Sequence, residues 1–305
     1  MSKIPDDVRE AMLGAISQRF RRLRGRIRKW VGYNEDIFGL AEDGSAATSQ
    51  SELPDDAPDV YRFQTDSAKV AAFLAWYRQR LEADVLEPLG RDRIRRGDHW
   101  TAESLRLAFA RGWQQSRSRL RNEGVSVGSL PGDDDTDLIE ALFDMPAPRR
   151  ALQEVYTRTY ENLESVTDDA VEPVRETLLE GLEQGWNPRR TARELTKEVR
   201  TLQHTQAEVL ALTETANAYT ESTIERYRRA GVDTVHHGVW SDAGDGRVCP
   251  LCGRLDGREI SLSTIDEATF TFEPEDEDPD YLAGTYSVKP PTHPRCRCIL
   301  RPALA

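Results

Sequence analysis

Between residues 8 and 31 apolar side chains return every three or four positions: Leu13, Ile16, Phe20, Leu23, Ile27 and Trp30. That spacing places them along one stripe of an α-helix. The positions between are mostly cationic, with Arg19, Arg21, Arg22, Arg24, Arg26, Arg28 and Lys29 covering the remaining face. The helix therefore either packs its stripe into a core and solvates its arginines, or acts as a basic arm. We read it as a docking arm, spanning residues 1–40, for an acidic partner, nucleic acid or a membrane surface.

The same period recurs downstream. Val70, Phe73, Leu74, Tyr77 and Leu81 form a second stripe, with Asp66 or Ser67 placed to cap the helix. A third helix runs from a Thr101 cap, with Glu103 behind it, to Gly124. Residues 149 to about 200 are helical by period. Asn187 followed by Pro188 opens a new helix there, because proline in the first turn gives up no needed N–H. A long helix over residues 205–229 is stopped by Gly231. Trp76, Trp100 and Trp113 read as core aromatics.

At residue 232 the pattern changes. "VDTVHHGVWS" and "TFTF" are β-branched and aromatic, and "RCRCILRPA" alternates, so each reads as a strand. The fold class is therefore α+β: helices over the N-terminal two-thirds, then a small mixed C-terminal part. The stretch 41–60 is small, polar and proline-bearing, and reads as an acidic linker. No tandem repeat is visible.

Charge sharpens this picture. The chain has 41 basic and 53 acidic residues, net −12, and only five of the cations are lysine. Weakly hydrated arginine with clustered carboxylates ("GDDDTD", "EPEDEDPD") suits a high-salt, halophilic cytoplasm. The net field argues against a general nucleic-acid binder. The one region of opposite sign is residues 1–33, with nine basic and three acidic residues. "MSKIPDDVRE" lacks an apolar signal core, and no stretch nears the ~20 apolar residues that span a bilayer, so a soluble, non-membrane protein is expected.

All four cysteines lie at two places: Cys249 and Cys252 in "CPLC", and Cys296 and Cys298 in "HPRCRC", where His293 adds an imidazole. C-x-x-C puts two thiolates on one tight turn, within ~2.3 Å of a common Zn²⁺. A redox pair would need a strand-to-helix context and would leave the second pair unexplained. A structural zinc accounts for all of them, with a disulfide pairing as the competitor. Five candidates face four coordination positions. On a strand Cys296 and Cys298 would point the same way, giving four thiolates. Alternatively His293 replaces one of them. We favour Cys249, Cys252 and Cys298 with either His293 or Cys296. Such a set leaves no open position, so the metal would be structural and the small C-terminal part would loosen without it.

These elements stand in the order of a known family. "AEVLALTETANAYTESTIERYRRAGVDTVHHGVWSDAGDGRVCPLCGRLDGREI", then "PPTHPRCRC", resembles the phage Mu F-like head morphogenesis proteins of tailed viruses, over roughly residues 150–302. The resemblance implies a non-enzymatic minor capsid protein of the virion, assembled in the host cytoplasm. It implies association with the portal and other capsid proteins during procapsid assembly, and a link to viral DNA packaging or ejection. Pattern and composition mark an arm (1–40), the linker (41–60) and a helical domain (61–148), and the resemblance adds a Mu F-like domain (149–305), whose zinc-binding part is 232–302. The family carries Arg directly before its Thr-Glu pair, where this chain has Leu212 before Thr213 and Glu214. Arg247 or Arg226 is expected to support Glu214 instead.

Two other classes compete. His236 and His237 beside a C-x-x-C are ingredients of zinc-supported HNH nucleases. In those enzymes the ligand pairs flank the histidine segment, whereas here the histidines precede both halves and no Asn-His pair follows. One packed and one solvated imidazole is the simpler expectation, since neighbours on a strand face opposite ways. A zinc-ribbon nucleic-acid binder is opposed by charge, because residues 241–305 hold seven basic and twelve acidic side chains.

Overall fold

The computed structural model describes residues 4–32, 38, 40, 65–128, 135–231, 233–275 and 277–304. The expected linker, residues 41–60, lies outside the described residues. Ten α-helices are described: α1 (Asp6–Ile27), α2 (Asp66–Leu81), α3 (Arg91–Arg96), α4 (Ala102–Asn122), α5 (Asp135–Asp144), α6 (Pro146–Asp169), α7 (Val171–Glu183), α8 (Pro188–Leu202), α9 (Glu208–Ala230) and α10 (Pro250–Leu255). Single π-type turns extend α1 over Arg28–Gly32 and α2 over Glu82–Leu86, and another joins α8 to α9 over Gln203–Ala207. The strands are β1 (Val235–Ser241), β2 (Glu259–Ser261), β3 (Thr269–Phe272), β4 (Gly284–Ser287) and β5 (Ile299–Leu304). The chain is α+β, with its helices first.

Backbone contacts divide the chain into two compact units that interleave along the sequence. One comprises residues 1–13, 90–159 and 209–305, the other residues 14–89 and 160–208. Two of the boundaries fall inside α1 and α6, one at the start of α9 and one between α2 and α3. Composition divides a chain only into consecutive stretches, so interleaving of this kind has no signature in it.

In the second unit Ile16, Phe20, Leu23 and Ile27 of α1 are all but fully buried, with α2, α7 and α8 completing that core. Phe38 meets Phe73 edge-on at 5.2 Å between ring centroids, as aromatic quadrupoles favour. Arg19 pairs with Glu87 and Arg26 with Asp84, each at 2.9 Å. The apolar stripe of α1 is thus consumed within the chain, and only its charged face, including Arg21, Arg22 and Arg28, remains exposed for a partner. The stripe also turns slightly from the expected one, with Met12 buried and Leu13 half-buried. Thr65, rather than Asp66 or Ser67, caps α2, its hydroxyl accepting from the Ala68 N–H. Asn187 caps α8 as expected, accepting from the Arg190 N–H at 2.9 Å.

In the first unit α4 and α9 approach closely through small residues. The Ser116 hydroxyl donates to the Gly112 carbonyl and reaches Thr223 Oγ1, and the Ser222 hydroxyl donates to the Phe109 carbonyl. A Cβ at Gly112 would sit 2.4 Å from the Tyr219 carbonyl oxygen, a backbone atom that cannot step aside. Gly112→Ala should therefore destabilise the protein by roughly 2 kcal/mol, although alanine favours an isolated helix by ~1 kcal/mol. Urea unfolding measures the sign; a gain in stability would mean the helices can spread.

The small C-terminal part packs onto the ends of α4 and α9. β1 is the centre of an antiparallel sheet in the order β2-β1-β5, with a register shift between Val235 and His237. β3 and β4 form a separate antiparallel hairpin. Trp240 on β1 is fully buried, in one cluster with Leu120, Ile224, Leu255, Leu300 and the cysteines. This places the sulfur-bearing loops in a core between the helices and the sheet.

Candidate metal centre

The first loop begins where β1 ends. Asp242 and Asp245 tie its turns: the Gly244 N–H donates to Asp242 and the Arg247 N–H to Asp245. The sequence then turns into α10 through Cys-Pro. Pro250 occupies the first helical position, where a missing N–H costs nothing. Cys249 is the cap, its sulfur accepting from the Cys252 N–H at 3.4 Å. The C-x-x-C spacing therefore becomes one helical turn with both sulfurs on one side.

The second loop approaches through a cis peptide between Pro290 and Pro291 and closes in a turn, the Cys296 N–H donating to the His293 carbonyl. Arg295 takes a left-handed conformation, φ 63°, to make that turn. Cys296 and Cys298 precede β5, which begins only at Ile299, so the expected strand over "RCRC" is corrected: the cysteines sit on the extended approach to it. Arg297 between them is clamped by Asp245 of the first loop, both guanidinium nitrogens engaging both carboxylate oxygens. That pairing holds the Asp245 carboxyl well below the usual carboxylate range.

All five predicted candidates converge. His293 Nε2 lies 3.2 Å from Cys249 Sγ and 3.0 Å from Cys252 Sγ. Cys252 Sγ lies 3.8 Å from Cys296 Sγ. The ligand atoms fall into two groups that share Cys252, one with Cys249 and His293, the other with Cys296 and Cys298, each within 4.8 Å. Cys252, Cys296 and Cys298 are buried, and no disulfide joins any of the four. The cavity they line is only about 20 Å³, enough for a water or an ion but not a substrate.

The donor chemistry suits a cation. The bond from Cys252 pulls the Cys249 thiol down to about 4, and bonds from Cys252 and Cys298 pull Cys296 down as well. Cys252 is pushed up, chiefly by its bond to Cys249. Burial pulls the His293 imidazole down, but the neighbouring thiolates outweigh it and raise the group to about 9. His293 Nδ1 faces the Pro294 carbonyl at 2.8 Å, so Nδ1 keeps its proton and Nε2 is the nitrogen free to bind a metal. The 3.8 Å sulfur separation equals the edge of a tetrahedron with ~2.3 Å metal–sulfur bonds. The residues present thus fit a close cysteine–histidine metal site.

The Thr-Glu pair of α9 divides its tasks. The Thr213 hydroxyl accepts from the Arg295 N–H at 3.4 Å, touching the second loop. Glu214, 2 % exposed, turns to α6, where Arg158 Nε and the Thr159 hydroxyl both donate to it at 3.2 Å. The expected support from Arg247 or Arg226 is therefore corrected: Arg158 supplies the cation. Arg247 instead pairs with Asp245. His236 is exposed and His237 half-buried on β1, and neither belongs to the ligand groups found among the described residues. Periodicity reveals neither the Asp245–Arg297 clamp nor the Arg158–Glu214 pair; their partners lie 52 and 56 positions apart.

Two loops thus converge on one thiolate–imidazole cluster that could hold a metal ion. Residues 172–301 match the family model described as phage Mu protein F like protein, so this stretch is similar to that family. No curated protein and no solved structure matches the chain. Among the described residues no helix is long and apolar enough to cross a membrane.

Proposed function

We propose that this chain is a minor head protein of a tailed virus that joins the procapsid beside the portal, and that a structural zinc clamps its C-terminal part. The observation that carries the reading is the match over residues 172–301, a stretch that includes all five candidate ligands. Cys249, Cys252 and Cys298 hold the metal together with either His293 or Cys296. The zinc supplies only a cross-link between the two loops; binding to partners falls to the protein surface. Portal association falls to the exposed cationic face of α1, Arg21, Arg22 and Arg28, set against an otherwise acidic chain.

Because α1 buries its apolar stripe, deleting it would unfold the chain, so charge reversal is the sound test. Co-expressed with the portal protein of its own virus, the chain should co-sediment with it, and Arg21→Glu with Arg22→Glu and Arg28→Glu should release it at ~0.15 M salt. Absence of any co-sedimentation would sink the portal reading. Undiminished binding by the triple variant would move the docking surface elsewhere.

A further inference from the structure

A second polar cavity lies away from the cysteines, in the same unit, where the C-terminal half of α9 meets α4. Its volume is ≈ 310 Å³, and Trp113, Ser126, Gly128, Arg226 and Arg229 are among its lining residues. Arg226 is only 6 % exposed, yet its Nε has no hydrogen-bond partner among the described residues. Its guanidinium lies 5.5 Å from the centre of the Trp113 ring, and the indole Nε1 of Trp113 is also buried without an acceptor. Arg117 Nε, close enough to act on Arg226, is in the same condition. Burial depresses the Arg226 pKa first, and Arg229 and Arg117 depress it further, with no carboxylate opposing them among the described residues.

Other arginines of this acid-rich chain do meet carboxylates. Arg228 engages Asp266 and Glu225, Arg254 engages Asp278, and Arg297 engages Asp245. Every unmet group found at the cavity among the described residues is a donor, so the complement must be a pure acceptor. Several guanidiniums gathered in one place call for more than a single negative charge, which a carboxylate does not carry and a phosphate does. We propose that this cavity binds a phosphate group, gripped by the guanidiniums of Arg226 and Arg229 and the indole N–H of Trp113. The group is either the free ion or one carried on a nucleic-acid strand.

The test uses the full zinc-loaded chain, inorganic phosphate, acetate and a 5′-phosphorylated dinucleotide, read by calorimetric titration and thermal melting. Inorganic phosphate should bind once per chain and raise Tm, while acetate at equal concentration should not. Arg229→Gln, an exposed change that leaves the core intact, should weaken binding about tenfold. Arg226→Met should abolish binding and yet raise Tm without phosphate, since it removes a buried unpaired charge. A dinucleotide that binds more tightly than phosphate, with the same losses, assigns the group to a strand; one that binds no better assigns it to the free ion. No phosphate binding, or binding untouched by both substitutions, overturns the proposal. So does a lowered Tm for unliganded Arg226→Met, the result expected of a purely structural arginine.

Discussion

Cys252→Ser should empty the clamp and unfold the C-terminal part of the chain. Cys252 is the one ligand shared by both sulfur groups, so its loss breaks each of them at once. It is 3 % exposed and packs in the cluster with Trp240, Leu255 and Leu300, so a hydroxyl there is also stranded from water. Structural zinc contributes an apparent ~10–16 kcal/mol in small zinc domains, which exceeds the ~5–15 kcal/mol that holds a typical domain together. Elemental analysis should fall from about one zinc per chain to none, and hydrogen exchange should accelerate over β1 to β5. His293→Ala and Cys296→Ser each touch only one group, and the one that retains the metal is the candidate left out of the coordination set. Wild-type chain containing no zinc after metal-sparing purification would remove the premise.

Acidity should separate loaded from empty chain. Without metal, the raised His293 pKa contributes stability that is complete below the ordinary imidazole range and is lost as pH rises through about 9. The lowered Cys249 pKa has the opposite sign: its contribution is complete above the ordinary thiol range and is lost as pH falls through about 4. Zinc binds the unprotonated forms of both groups. The loaded chain should therefore keep its stability at the alkaline end and release metal on acidification.

How far the site was readable from sequence depends on the range of each interaction. Sulfur gathered at two loops, with His293 beside one of them, is a compositional fact, and it pointed to the five candidates that the structure brings together. The α1 stripe was readable because Ile16, Phe20, Leu23 and Ile27 obey one helical period. The strand over "RCRC" misled because buried cysteines alternating with arginines imitate a half-buried strand. The turn at Arg295 and the clamp on Arg297 explain that alternation without any ladder. The division into two interleaved units was hidden for the same reason as the Arg158–Glu214 pair. Both depend on residues brought together from distant stretches, and local pattern carries no record of them.

That pair sets the second large effect. Glu214→Ala should cost about 3 kcal/mol, because breaking a buried ion pair runs ~3–5 kcal/mol and this one sits at the lower end. The discount comes from Arg158, whose side chain is 38 % exposed and can turn to water once released. The remaining cost lies with Thr159, which is fully buried and loses a carboxylate acceptor for its hydroxyl, and with the space the side chain vacates. Glu214→Gln keeps the shape and an acceptor oxygen, so it should recover roughly half the loss. Because Thr213, the neighbouring residue, touches the second cysteine loop, the two readouts should part. Glu214→Ala should lower the urea midpoint while zinc content stays at one per chain, whereas a metal lost in step with stability would mean that α6 braces the clamp itself.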